Sequence, residues 1–201
     1  MTAAWPFGDL VPFKYQVILA DPPWRFDNWS EKGEAKNPNQ HYACMSIADI
    51  AALPVNHLAA QDCALIMWAT SPLLDQQLEI VRAWGFEYKS CGAWAKQSPT
   101  GKSWAFGGGY ILRSAAEFYI VATRGAPKRL SRSVRNLIVA PVREHSRKPD
   151  QMHRDIEALY AGPYCELFSR QRRPGWASWG NQVDRFDQPA GDPASPATSN
   201  R

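Results

Sequence analysis

The string Asp21-Pro22-Pro23-Trp24 sets a carboxylate, two prolines and an indole side by side. Each proline fixes its φ and lacks an amide hydrogen, so the pair makes a stiff turn whose carbonyl oxygens can only accept. A carboxylate before that turn and an aromatic face after it suit a planar ring carrying an amino group. The two N–H bonds of that amine meet acceptors while its ring lies on Trp24. The lone pair of such an amine is delocalised into the ring, which makes it a poor nucleophile at neutral pH. Accepting hydrogen bonds from both N–H groups favours a more tetrahedral nitrogen with its lone pair free to attack, a preference expressed in the transition state. Asp21 and a Pro-Pro carbonyl are suited to supply it; whether Asp21 also takes the proton is left open by the residues. The competing reading is an ordinary strand-end turn with a capping aspartate.

The elements that must hold this corner are legible in the apolar pattern. Tyr15–Ala20 runs straight into Asp21 as a short strand, and further strand-like runs lie at Ala64–Ala69, Tyr88–Ala95, Glu117–Ala122, Asn136–Ala140 and Tyr164–Ser169. Most are apolar without alternation, which predicts strands covered on both faces. Helical patterns fall between them: Ser46–Leu53 with Ser46 as N-cap, Pro72–Trp84 ended by Gly85, and Pro149–Tyr160 ended by Gly162. The alternation predicts an open α/β sheet with helices on both sides, in which ligands sit beyond the carboxyl ends of strands. Two segments are long enough to be functional loops, the polar Arg25–His41 and the Gly-containing Gln97–Tyr110. The expected organisation is one domain over residues 1–186 and a disordered Pro/Ala/Ser-rich tail over 187–201.

Composition narrows the class. The chain has 201 residues with 45% hydrophobic content, enough for one buried core. The longest apolar run, Cys63–Ala69, is far too short to cross a membrane, and no basic segment followed by an apolar stretch opens the sequence. Four scattered cysteines, none in a Cys-x-x-Cys pair, support neither a disulfide framework nor a structural zinc site, and a reducing cytoplasm fits. His41 and His145 are separated, with no carboxylate at ligand spacing, so no metal is expected. Of the 23 Lys and Arg, nine lie between Arg124 and Arg154 against two acidic residues, a net +7, while the rest of the chain carries −3. This is the footprint of a polyanion binder, or else a solvated basic face. Gly101-Lys102-Ser103 suggests a phosphate loop, but a Walker signature requires a glycine where Lys96 stands.

The ADPPW string after an apolar strand resembles the DPPW motif of the adenine amino-methyltransferases. The branch in question holds the catalytic subunit of the eukaryotic messenger-RNA adenosine methyltransferase and its bacterial and phage DNA-methylating relatives. Further blocks follow in that family's order: MWATSPLL (Met67–Leu74), AWGFEY (Ala83–Tyr88), AWAK (Ala93–Lys96), the Gly-rich loop leading to Glu117, VREHSRKPD (Val142–Asp150), ELFSR (Glu166–Arg170) and WASWGNQ (Trp176–Gln182). Together they run from about Tyr15 to Gln182.

The resemblance implies a Rossmann-like methyltransferase fold, permuted so that the catalytic motif precedes the cofactor-binding blocks, with S-adenosyl-L-methionine as donor. By position it implies Asp21, Pro22, Pro23 and Trp24 as the catalytic corner. Asp21, Lys148, Glu166, Arg170, Asn181 and Gln182 would hold the donor, Lys148 meeting its carboxylate. Tyr42, Trp94, Arg113 and Glu117 would wall the acceptor pocket. The implied reaction is methylation of the 6-amino group of adenine in nucleic acid, DNA ahead of RNA, by a cytoplasmic, nucleoid-associated protein with no membrane partner. A homodimer or a partner subunit stays open, as do a catalytically silent nucleic-acid-binding subunit and transfer to RNA adenosine, cytosine or a small amine. The sequence departs from the pattern in lacking Gly-x-Gly-x-x-Gly and in a short stretch after ELF, which leaves Gln171, Arg172 and Arg173 without assigned roles.

Overall fold

The computed structural model describes residues 4–25, 44–109, 111–144 and 146–187. Its elements are β1 (Tyr15–Ala20), α1 (Ile47–Ala51), β2 (Ala59–Ala69), α2 (Leu74–Ala83), β3 (Glu87–Gln97), β4 (Ala116–Arg124), β5 (Leu137–Pro141), α3 (Gln151–Leu159), β6 (Tyr164–Leu167) and β7 (Trp176–Trp179). Seven strands form one sheet in the order β5-β3-β4-β2-β1-β6-β7. Only β4 runs antiparallel to its neighbours; the other pairings are parallel.

This order makes β1 the place where the chain changes direction across the sheet. On one side of β1 lies β2, the next strand in sequence; on the other lies β6, close to the end of the described chain. A crevice opens beyond the carboxyl ends of two such strands because their connections leave in opposite directions. Asp21 is the first residue past β1, Phe168 the first past β6 and Gly180 the first past β7, so all three share one edge. The fold is Rossmann-like, and the Asp21 corner precedes in sequence the strands that complete the crevice.

The central strands are covered on both faces, as their uninterrupted apolar runs require. Ile18, Ala20, Leu65 and Met67 pack on one side with Ile50 of α1 and Ile80 and Val81 of α2. Val17, Leu19, Ala64 and Ile66 pack on the other with Met152 and Ile156 of α3. Beyond β4 the double cover ends: Tyr88, Leu137 and Val139 are 45%, 54% and 50% exposed. The expectation of strands buried on both faces therefore fails for β3 and β5.

Other boundaries shift for local reasons. β6 stops at Leu167 rather than Ser169 because Phe168 adopts a left-handed backbone (φ 60°), which no strand accommodates. β2 begins at Ala59, reaching back through the exposed Gln61 and Asp62 that hide it from an apolar pattern. β7 is a four-residue strand with no anticipated counterpart. Ser46 is the N-cap of α1, its side chain accepting from the Asp49 amide at 3.1 Å. Gly85 (φ 78°) ends the turn after α2 in a conformation that costs glycine little. No helix among the described residues is long and apolar enough to cross a membrane. The tail falls almost wholly outside the described residues.

Candidate active site

Four charged side chains form a relay at the mouth of the crevice. Lys148 Nζ donates to both oxygens of Asp21, at 3.0 and 2.8 Å, and lies 3.4 Å from Glu117 Oε2. The other oxygen of Glu117 lies 2.6 Å from Lys96 Nζ. Lys148 also sits 5.5 Å from the Trp68 ring centroid, so its charge faces both carboxylates and an aromatic surface. The loop that carries Lys148 is braced from both ends. Arg143 donates to the Lys148 carbonyl at 2.6 Å and to Asp150 at 2.8 Å, and Arg173 donates to the second Asp150 oxygen at 2.7 Å. Burial raises the Asp150 carboxyl, but the two guanidiniums outweigh it and hold the group below its usual range.

The two carboxylates of the relay are shifted in opposite directions. For Asp21, desolvation is the largest influence; Lys148 pulls the other way, the nearby Glu117 charge adds to the rise, and the balance lies above the ordinary value. Glu117 is desolvated too, but Lys148 and Lys96 together outweigh burial and hold its carboxyl below the ordinary value. Burial thus favours a proton on Asp21, while the two lysines favour the ionised form of Glu117.

Next to the relay is an open depression of about 420 Å³, solvent-filled mouth included, lined by Asp21, Pro22, Pro23, Ser146, Phe168, Arg170, Asn181 and Gln182. Two lining residues, Ser146 (φ 64°) and Phe168 (φ 60°), hold backbone conformations that side chains with a Cβ seldom adopt. Gly180 is required for a different reason: a Cβ there would fall 2.6 Å from the Ser169 carbonyl oxygen and 2.9 Å from its nitrogen. The strand ends of β6 and β7 thus approach closely, which brings Asn181 and Gln182 against Arg170. Gln182 Oε1 accepts from Arg170 at 3.0 Å and from Arg185 at 3.1 Å.

A model of the MT-A70 family matches residues 15–182, from β1 through the Gln182 wall of the depression. The chain belongs to the MT-A70 family. The type II methyltransferase M.MunI of Mycoplasma sp is 31% identical over 196 residues, covering 88% of this chain and 81% of the relative. An N(6)-adenosine-methyltransferase MT-A70-like protein of Drosophila melanogaster is 32% identical over 182 residues, 85% of this chain and 27% of its own length. The human N(6)-adenine-specific methyltransferase METTL4 is 30% identical over 191 residues, 86% of this chain and 38% of its own. The chain thus spans most of the first relative and well under half of the other two. It is a methyltransferase domain, and its chemistry requires a methyl donor.

This MT-A70 site differs from the expected arrangement at several residues. The Pro carbonyls are not bare: Pro22 O accepts from the Trp24 amide and Pro23 O from the Met45 amide, each at 2.9 Å, which leaves one lone pair on each. Trp24 is 5% exposed, packed in the core on the α1/α2 side and absent from the lining of the depression. Its bridge to Met45 turns it inward, so it offers no open stacking face. Trp94 is likewise buried, its Nε1 donating to the Ala140 carbonyl at 2.8 Å beneath Lys96. Glu166 does not line the depression either; its Oε2 lies 3.1 Å from His153 Nε2 and accepts from Ser169 at 3.3 Å. Arg113 sits on the Phe106 ring, 4.6 Å from its centroid, in the loop before β4. Tyr42 lies outside the described residues.

Sequence reasoning missed Lys96, Ser146, Phe168 and Gly180. All four stand inside the blocks that carry the resemblance, AWAK, VREHSRKPD, ELFSR and WASWGNQ; only the structure gives them their surroundings. The residues left without roles acquire them as braces: Gln171 accepts from Arg147 at 3.1 Å, Arg172 pairs with Asp184 at 2.7 Å and Arg173 with Asp150. The basic segment divides in the same way. Arg143, Arg147 and Lys148 are engaged around the crevice. Lys128, Arg129 and Arg132 are exposed on a connection bonded to Leu159 at the end of α3, toward the opposite edge.

Proposed function

We propose that this chain transfers a methyl group from S-adenosyl-L-methionine to the 6-amino group of adenine in DNA. The observation that carries the reading is the position of Asp21, which lines the depression and anchors the charged relay at once. A donor-binding surface and an amine-binding corner that share one carboxylate bring the two reactants to adjacent sites.

The residues around the depression fit the donor's functional groups. A carboxylate, a guanidinium, two carboxamides and an aromatic ring face one space, and they complement an ammonium, a carboxylate, ribose hydroxyls and an adenine. When bound, the donor supplies an electrophilic methyl group on a sulfonium. In this reading Asp21, Ser146, Phe168, Arg170, Asn181 and Gln182 position it, with Lys148 near its carboxylate. Glu166 acts one layer away, through Ser169 and His153.

On the acceptor side Asp21 and the remaining lone pair of a Pro carbonyl accept from the adenine amine. Asp21, which lines the depression and whose carboxyl burial raises, is the carboxylate suited to receive the proton as the carbon–nitrogen bond forms and the donor's carbon–sulfur bond breaks. Lys148 must loosen its grip on Asp21 for the amine to bind there, and Glu117 offers it an alternative partner at 3.4 Å. Trp94 supports Lys96 from below, and Arg113 and Tyr42 belong to segments flanking the acceptor. The named activities of METTL4 and the Drosophila relative support adenine chemistry, and the length shared with the type II methyltransferase M.MunI supports a compact enzyme, which we take to act in the cytoplasm. Any homodimer or partner subunit would add to the recognition surface of this chain.

Labelled methyl transfer from S-adenosyl-L-methionine into unmodified DNA and RNA tests the proposal. Incorporation into DNA above RNA is expected. Donor binding without incorporation into either would identify a silent subunit instead.

A further inference from the structure

The connection from β3 to β4 projects the most exposed large apolar side chains among the described residues. Ile111 is 93% and Leu112 81% exposed, with Trp104 and Phe106 each 59% exposed nearer the strands. Large apolar residues grouped in this way on a surface mark a place where another molecule is met. The segment is not a slack loop. The Ala105 amide donates to the Lys96 carbonyl at 2.9 Å, the Gly107 amide to Ser114 at 2.8 Å, and the Ser114 amide to Gly108 at 3.1 Å. The α-carbon of Gly109 lies against the Leu112 carbonyl so closely that no side chain fits there. The result is a closed hairpin whose legs stand on Lys96 and lead, past Leu112, to Glu117 five residues on. At full extension that stretch reaches about 17 Å.

The charge of the hairpin selects its partner. Residues 98–115 include Lys102 and Arg113 and no acidic residue. Arg113 lies flat on Phe106, so its guanidinium is held beside the apolar tip. Cations flanking an apolar tip fit an anionic partner with an apolar interior, and the adenine-methyltransferase reading makes that partner a nucleic acid. The side chains at the tip decide between its forms. Among the described residues the outermost side chains, Ile111 and Leu112, have no π-face on which an unpaired base could stack, the exposed Trp104 and Phe106 standing nearer the strands; aliphatic wedges between base steps are a known way to part a duplex.

We propose that Ile111 and Leu112 form a wedge that enters the base stack of duplex DNA beside the target adenine. Lys102 and Arg113 meet the flanking phosphates. The proposal rests on the adenine-methyltransferase reading and assigns the hairpin the task of opening the duplex. Extrusion of a base leaves a gap in the stack, and the two aliphatic side chains fill it while the amine is delivered toward Asp21.

Equilibrium binding to fluorescein-labelled duplexes, read by anisotropy, tests this without relying on methyl transfer. One duplex is intact and the other carries a single abasic position in place of an adenine, so that the gap is already open. The wild type is expected to bind the abasic duplex about tenfold more tightly, because the cost of extrusion has been removed. Ile111→Ser/Leu112→Ser should bind both duplexes equally, and Ile111→Leu/Leu112→Met, which keeps an apolar tip, should retain the preference. Equal binding of both duplexes by the wild type, or a preference that survives the double serine variant, overturns the wedge. Conversion of a dimeric wild type to a monomer by the serine variant, with the abasic preference intact, also overturns it and makes the tip a subunit contact. A wild type that prefers the abasic duplex yet transfers no methyl group overturns the enzymatic reading while supporting the wedge.

Discussion

The two walls at the carboxyl edge of the sheet, one around the crevice and one at the β3–β4 connection, are built on opposite principles. On the side of β1, β6 and α3, polar groups meet one another at close range: Asp21 with Lys148, Asp150 with Arg143 and Arg173, Gln182 with Arg170. On the side of the β3–β4 hairpin, side chains point into solvent and the backbone does the holding. The braced wall can fix atoms within a fraction of an ångström, as charge stabilisation at a reacting centre requires. The open wall can adapt to a long and variable partner. In the proposed reading, chemistry and recognition are thus separated, with Lys96 and Glu117 at the join.

Substitutions on the braced wall should cost activity in steps that follow their distance from the reacting nitrogen. Asp21→Asn should reduce methyl transfer by about 1000-fold or more at saturating donor, measured as initial rate of label incorporation. Its melting temperature should be unchanged or slightly raised, because a buried carboxylate with an elevated pKa is a burden on the fold at neutral pH. Gly180→Val should weaken donor binding by about 10- to 100-fold and destabilise the fold by about 2–3 kcal/mol, since the new side chain meets the Ser169 backbone. Calorimetric titration and thermal melting would separate the two effects.

Lys96→Met tests the join. It removes one of the two cations that hold Glu117 down, so the Glu117 carboxyl should rise. A drop in kcat/KM of about tenfold and an upward move of the acid limb of the pH–rate profile are expected. The stability effects of the two carboxylates have opposite signs. The folded Glu117 lies below its ordinary 4.5, so its lysine contacts stabilise above that value and the contribution is lost as pH falls through the lower folded one. Asp21 lies above its ordinary 3.8, so folding disfavours its charge and acid relieves the penalty. Melting scans from neutral pH downward should therefore show Lys96→Met losing its deficit against the wild type in acid. The smallest effect belongs to the open wall: Ile111→Ser should change stability by less than about 0.5 kcal/mol, because a side chain already 93% exposed has little burial to lose.

The central strands and the turn at Asp21 were legible because their signals are local. The run at β1 needs cover on both faces to exist at all, and two prolines after an aspartate force a turn whatever lies around them. Lys148 and Glu117 were reached only through resemblance, since their pairing joins residues far apart in sequence and depends on the antiparallel insertion of β4. The burial of Trp24 and Trp94 was not legible, for a common reason. An indole serves as a stacking face or as core, and the difference is set by neighbours such as Met45 and Ala140 that no local pattern reveals. Phe168 carries a positive φ that its own identity argues against, so the structure alone could disclose it.

The central claim is that the acidic corner grips the amine of adenine, and the nucleosides of DNA incubated with the protein and S-adenosyl-L-methionine test it most directly. After complete enzymatic digestion, mass spectrometry should find N6-methyldeoxyadenosine with the wild type and none above background with Asp21→Asn. Methyl groups confined to cytosine, or N6-methyldeoxyadenosine formed equally by both proteins, would contradict the account.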